Sequence, residues 1–95
     1  MSDTHELKCH PDPFRHVRTG LKTFELRRDD GRGFKRGDTL VLREWEPAEV
    51  DRHFAHYTGR SVTVEVTYIV RAPAWGLTDK MCVMSIKLLG DGGGR

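Results

Sequence analysis

The sequence predicts a small α+β domain: an antiparallel β-barrel of five to six strands with one short helix covering an opening. Three observations carry that prediction. Several segments alternate apolar and polar residues with the period of two that a half-buried strand requires. One segment near the N-terminus places apolar residues at spacings of three and four between a proline-bearing start and a glycine stop. The chain has 95 residues, enough for one core and too few for two.

The elements follow in order. Thr4 to Cys9 suits a strand, because Pro11 and Pro13 prevent its continuation. Asp12 before Pro13 reads as a helix start, a capping carboxylate followed by a residue whose fixed φ suits the first turn. Phe14, Val17 and Leu21 give the buried stripe of a helix of about two turns that Gly20 ends. Thr23 to Arg28 alternates again, with Phe24 and Leu26 expected on the buried face and Thr23, Glu25 and Arg27 opposite. Lys35-Arg36-Gly37-Asp38 reads as a turn into a strand over Thr39 to Glu46, with Leu40 and Leu42 against Val41, Arg43 and Trp45. Pro47 to Gly59 shows no strand pattern and is expected to be either a long loop or a hairpin tip with one helical turn. Arg60 to Arg71 is the strongest strand signal, with Val62, Val64, Val66, Tyr68 and Val70 on one face. Ala72 to Asp79 is a loop, Lys80 to Leu88 a last strand, and residues 89–95 a glycine-rich flexible tail beyond a single domain of residues 1–88.

Composition narrows the function classes. Sixteen Lys plus Arg against fourteen Asp plus Glu leave a formal net charge of +2, too mild for polyanion binding by bulk electrostatics, so any anion site must be local. No apolar run has the length of a membrane helix, and Met1 to Lys8 has no signal-peptide pattern, so a cytoplasmic protein with no membrane partner is expected. The two cysteines, Cys9 and Cys82, read as free thiols: Cys82 as a small buried hydrophobe, and Cys9, beside Lys8, as the more reactive. His53 and His56 are three apart and Cys9 adjoins His10, but neither pair has the two-plus-two spacing of a structural zinc site, so no metal and no cofactor is expected.

Chemistry concentrates at one corner. Gly20-Leu21-Lys22-Thr23-Phe24-Glu25-Leu26-Arg27 puts an ammonium, a carboxylate and a guanidinium at the helix-to-strand junction. As a plain strand edge this is a surface ion pair worth under about 1 kcal/mol. As a site, Lys22 and Arg27 present positive charge to a phosphate, Arg bidentately, with Lys8 joining from an adjacent strand. Glu25 then holds those cations, accepts from a base amino group, or acts as a general base. Arg43 and Trp45 share one strand face, where an indole can stack on a base and a guanidinium meet phosphate, or where Trp45 is a core or rim residue.

The same run fits the pattern Gly-x-Lys-x-x-Glu-x-Arg, and in it the chain resembles ASCH domains of the PUA-like superfamily. Leu7-Lys8 with Pro11, and Phe34-Lys35-Arg36-Gly37-Asp38, resemble that family's opening strand and a later turn. More narrowly, His5-Glu6-Leu7-Lys8-Cys9, Thr23-Phe24-Glu25-Leu26-Arg27-Arg28, Leu42-Arg43-Glu44-Trp45, Tyr57-Thr58-Gly59-Arg60 and Val66-Thr67-Tyr68-Ile69 look like the uncharacterised ASCH-like family DUF3850. The resemblance covers residue 5 to about residue 88.

The resemblance implies a barrel cleft beside the helix that takes RNA, a nucleotide or a modified nucleoside. The ligand-binding residues are then Lys8, Lys22, Glu25, Arg27, Arg43 and Trp45. The alternative is a small hydrolase, a ribonuclease or an amidohydrolase on modified nucleosides, with Lys22 and Glu25 catalytic. The chain departs from amidohydrolase relatives twice: Glu25 stands where they carry a nucleophilic threonine, with Thr23 and Ser85 as possible substitutes, and the segment from Val70 to Lys80 is too short for the helical insertion that bears their carboxylate.

Overall fold

A computed structural model describes residues 2–48 and 54–92 of the chain. Among the described residues, five strands and one helix follow in the order β1 (Thr4–Cys9), α1 (Pro11–Arg18), β2 (Phe24–Arg28), β3 (Thr39–Glu46), β4 (His56–Arg71) and β5 (Met81–Gly92), with a 3-10 turn at Ala74–Gly76. They form one curled, half-barrel sheet in the order β1-β3-β4-β5-β2.

An α+β, barrel-like domain is therefore what the alternating segments produce, with two corrections. The sheet is not wholly antiparallel: β1 runs parallel to β3, from Thr4 opposite Thr39 to Cys9 opposite Glu44. The connection through α1 and β2 is long enough for the crossover that a parallel pair needs. Nor does the sheet close by a backbone ladder. Its edges β1 and β2 are joined instead by a side chain, as Arg27 Nη2 donates to the Lys8 carbonyl at 2.9 Å.

The concave face holds the core. Leu7, Cys9, Leu40, Leu42, Val62, Val64, Val66, Cys82, Met84 and Ile86 point inward, and Phe14, Val17 and Phe34 seal them. The helix packs on β3, β4 and β5 with Phe14 and Val17 buried, but it differs from expectation at both ends. It opens at Pro11 behind His10, so Asp12 lies inside the first turn, where it pairs with Arg15. It ends at Arg18, so Leu21 leaves the apolar stripe and is 75% exposed.

Other boundaries shift for identifiable reasons. β4 begins at His56, four residues before the expected start at Arg60, because Tyr57 and His56 pair with Trp45 and Glu46 after a bulge. A second bulge between Val66 and Tyr68 flips the parity of β4, leaving Tyr68 61% exposed instead of in the core, with Ile69 turned toward it. β5 runs on through Gly92, pairing Gly90, Asp91 and Gly92 with Thr63, Val62 and Ser61, so residues 89–92 are strand where a flexible tail is expected.

The turn at Lys35 to Asp38 forms as expected, with Asp38 N–H donating to the Lys35 carbonyl at 3.1 Å and Gly37 at φ +94°, a conformation open chiefly to glycine. Asp38 is fully buried, and its carboxylate accepts from the Asp3 N–H at 2.9 Å, the Lys35 N–H at 3.1 Å and His5 Nε2 at 2.9 Å. An ionised carboxylate only accepts, so His5 carries its proton on Nε2. This knot sets the register at which β1 meets β3.

Candidate functional site

The most informative departure from the sequence pattern is in β2. Phe24 and Leu26, expected in the core, are 46% and 52% exposed, whereas Glu25 is 3% exposed. Parity is as expected and the faces are exchanged. β2 pairs with β5 so that Glu25 stands opposite the buried Met84 and Phe24 opposite the exposed Ser85. Burial of a charge is tolerable only when it is paired and hydrogen-bonded, and Glu25 is both. Lys22 Nζ donates to Oε1 at 2.7 Å, and Arg27 Nε donates to Oε2 at 2.8 Å.

The helix exit places Lys22. Thr19 and Gly20 N–H groups donate back to Arg15 and Val17, Gly20 turns the chain at φ +85°, and the Lys22 N–H bonds the His16 carbonyl at 2.9 Å. The ammonium also donates to the Phe24 carbonyl at 2.6 Å and lies 4.6 Å from the Phe24 ring centroid. Lys22, Glu25 and Arg27 thus form one unit with a net charge of +1. Lys22 spends two of its three N–H donors, and Arg27 spends two of five, on Glu25 and the Lys8 carbonyl. The remaining N–H groups have no hydrogen-bond partner among the described residues.

These groups line an open cleft of about 390 Å³ together with Lys8, Cys9, His10, Pro13, Phe24 and Leu26. The start of α1 adds little to anion binding there. Pro11 and Pro13 have no N–H, and the Phe14 N–H is spent on the His10 carbonyl. The positive charge in the cleft therefore comes from side chains.

The other expected site residues divide. Lys8 is adjacent to β3 rather than β2; it lines the cleft, and its ammonium sits over the Trp45 ring, 4.1 Å from the centroid. Trp45 is half-buried and meets the His10 ring edge-on at 5.5 Å. Arg43 lies outside the cleft lining, its guanidinium over Tyr57 at 4.0 Å and 3.8 Å from Glu6 Oε1. Thr23 and Ser85 are exposed and line no part of the cleft, so neither stands where a substitute nucleophile would be needed.

Two features escape the sequence reading. Phe24 and Leu26 form a cleft wall, a role hidden because their alternation matches an ordinary core face. Glu44 is buried on the inner face, where Oε1 accepts from Thr58 Oγ1 at 2.8 Å and from Arg60 Nε at 2.7 Å. Its position between Leu42 and Trp45 in an alternating strand is the one signal that pointed inward.

Cys9 corrects the expectation of reactivity. It is 3% exposed, and burial, reinforced by the Glu25 carboxylate, pushes its thiol up to about 11. Its reaction with iodoacetamide at pH 8 is expected to be about a hundredfold slower in the folded protein than in urea, given the lost thiolate fraction. Peptide mass spectrometry checks this, and rapid native labelling of Cys9 would contradict it.

Of the histidines, His53 lies outside the described residues, and His56 faces Glu46 at 3.5 Å. Among the described residues, Asp3, His5 and Asp38 come close enough to share an ion. The Lys35 ammonium already holds that position, 2.7 Å from Asp3 Oδ2 and 3.2 Å from Asp38 Oδ1.

A mostly β domain with a buried glutamate held between a partly buried lysine and arginine at a helix-to-strand corner is the class that fold and cleft define. Residues 4–86 match the family model described as Domain of unknown function (DUF3850), and the chain belongs to that family. It is similar to an uncharacterized 12.9 kDa protein in the GpA 3' region of Escherichia phage P2, with 36% identity over 75 residues, 79% of this chain. The match spans 62% of the phage protein's length. Among the described residues no helix is long and apolar enough to cross a membrane.

Proposed function

We propose that this chain is an ASCH-like, PUA-like binding module that takes RNA or a nucleotide in the cleft between α1, β1 and β2. Lys22 and Arg27 meet phosphate, Lys8 adds charge at the rim, and the exposed Phe24 ring offers a surface to a base. The single observation that carries this reading is the state of Glu25. Each of its oxygens is engaged by a cation, and its side chain is 4% exposed. A general base must come within about 3 Å of the proton that it takes. Glu25 is sealed from that approach, while its two partners keep free N–H donors toward the cleft. The carboxylate thus serves to orient cations, which favours binding over hydrolysis.

Thermal shift against nucleoside monophosphates, acetylated cytidine and short single-stranded RNA tests the reading. A ligand at a hundredfold excess over its Kd is expected to raise the midpoint by roughly 10 °C. Lys22→Ala should weaken binding about tenfold or more, the scale of one lost charged hydrogen bond. Glu25→Gln, measured well below its own midpoint, should still bind. No shift with any of these ligands would sink the proposal, and consumption of one of them, seen by mass spectrometry and abolished in Glu25→Gln, would establish the hydrolase instead.

A further inference from the structure

Beside the cleft, the convex face of β1, β3 and β4 carries an arrangement that the cleft does not use. Lys8 and Arg43 are register partners on neighbouring strands, and Trp45 and Tyr57 are partners one step further along. Each cation is laid on a ring: the Lys8 ammonium on Trp45 at 4.1 Å, and the Arg43 guanidinium on Tyr57 at 4.0 Å. None of the four is core. Tyr57 is 44% exposed and the Arg43 side chain 43% exposed, and the Glu6 carboxylate that faces Arg43 stands 3.8 Å away and is itself 68% exposed. The guanidinium therefore lies on an aromatic ring while its side chain stays partly open to solvent.

Neighbouring rings that each carry a cation match the chemistry of an unpaired nucleotide strand. Bases stack on aromatic rings and on guanidinium planes, while Lys and Arg meet the intervening phosphates. The face is also continuous with the cleft. Lys8 and His10 line the cleft, and both touch Trp45. At about 390 Å³ the cleft is near the lower end of small-ligand pockets, with room for about one nucleotide.

We propose that Trp45, Arg43 and Tyr57 form a stacking platform for the nucleotides flanking the one in the cleft, so that the ligand is a single-stranded polynucleotide. This inference rests on the nucleotide-cleft reading and adds to it a strand path: Lys22 and Arg27, then Lys8 and Trp45, then Arg43 on Tyr57.

The test uses a Trp75→Phe background, which leaves Trp45 as the sole indole and alters a side chain that is 89% exposed. Trp45 fluorescence is titrated with AMP, CMP and UMP, with the matching ribonucleotide hexamers, and with a thymidine deoxyhexamer. A hexamer is expected to quench Trp45 and to bind at least about tenfold tighter than its monophosphate, the effect of one added stacked base. Arg43→Ala and Tyr57→Ala should each weaken hexamer binding about fivefold or more and leave monophosphate binding unchanged. Tyr57→Phe, which keeps the ring, should retain hexamer affinity. Equal affinity for the deoxyhexamer would assign the platform to either nucleic acid, and a tenfold ribose preference would assign it to RNA. Hexamers no tighter than monophosphates, or indifferent to Arg43→Ala and Tyr57→Ala, would overturn the platform while the cleft reading stands. Indifference of every ligand to Lys22→Ala would instead overturn the cleft.

Discussion

Glu25→Ala is expected to lower the midpoint of thermal unfolding by roughly 10–20 °C, equivalent to about 3 kcal/mol in a domain of this size. Glu25 is 3% exposed and carries both Lys22 and Arg27. Removing one member of a buried ionic group costs about 3–5 kcal/mol, because the remaining charges stay desolvated without a partner. Here the lower end applies, since the Lys22 and Arg27 side chains are 20% and 25% exposed and water can reach them in part. The Arg27 guanidinium also ties edge strand β2 to the Lys8 carbonyl of edge strand β1, so its displacement loosens the mouth of the half-barrel. Glu25→Gln should cost less, about 1–2 kcal/mol, because one amide oxygen still accepts while the amide nitrogen meets a donor. Calorimetry of the two variants checks the order. A shift of only 2–3 °C in Glu25→Ala would mean that the group behaves as a surface ion pair worth about 1 kcal/mol or less.

Asp38→Ala is expected to cost about 4 kcal/mol, because three N–H groups lose their acceptor and the Lys35 ammonium loses a partner. The carboxylate also makes stability depend on pH. Burial alone would raise the Asp38 pKa, but hydrogen bonds from the Asp3 N–H, His5 and Lys35 outweigh it and hold the group down at about 2, from an ordinary 3.8. A depressed folded-state pKa means that the unfolded chain takes up the proton first. The contribution is therefore fully present above the ordinary value and is lost as pH falls through about 2. Asp29 acts in the same sense: burial raises its pKa, and the Arg71 side chain and the N–H groups of Gly33 and Phe34 lower it further. Urea midpoints between pH 6 and 2 should fall steeply at the acid end in the natural protein and more gently in Asp38→Asn. Identical slopes would show that Asp38 is not the titrating anchor.

The difference between the two sites explains what was legible beforehand. The Asp38 turn is local: Lys35-Arg36-Gly37-Asp38 contains its own glycine and its own acceptor, so its shape is written in four consecutive residues. The corner at Glu25 was legible as a cluster but not as an interior one. In β2, apolar residues at 24 and 26 against polar ones at 23, 25 and 27 match a core-facing strand, and the period of two is the same whichever face is turned inward. What turns Glu25 inward is its pair of cations, one from the helix exit and one two residues along. Their joint burial is a property of the assembled corner and of no single residue type.

By itself, the sequence determined the order of the strands and, to within one, their number, the single helix, the turn into β3, a buried Cys82 and the charged corner that marks the cleft. Each of these follows from interactions within a few residues, where spacing and turn chemistry suffice. Tertiary structure alone decided the rest: the parallel pairing of β1 with β3, the exchanged faces of β2, the bulge that turns Tyr68 outward, and the neighbourhood of Lys8, Arg43, Trp45 and Tyr57. All depend on which strand lies beside which. That choice is made by the packing of residues far apart in the chain, and the side-chain period within a strand is indifferent to it.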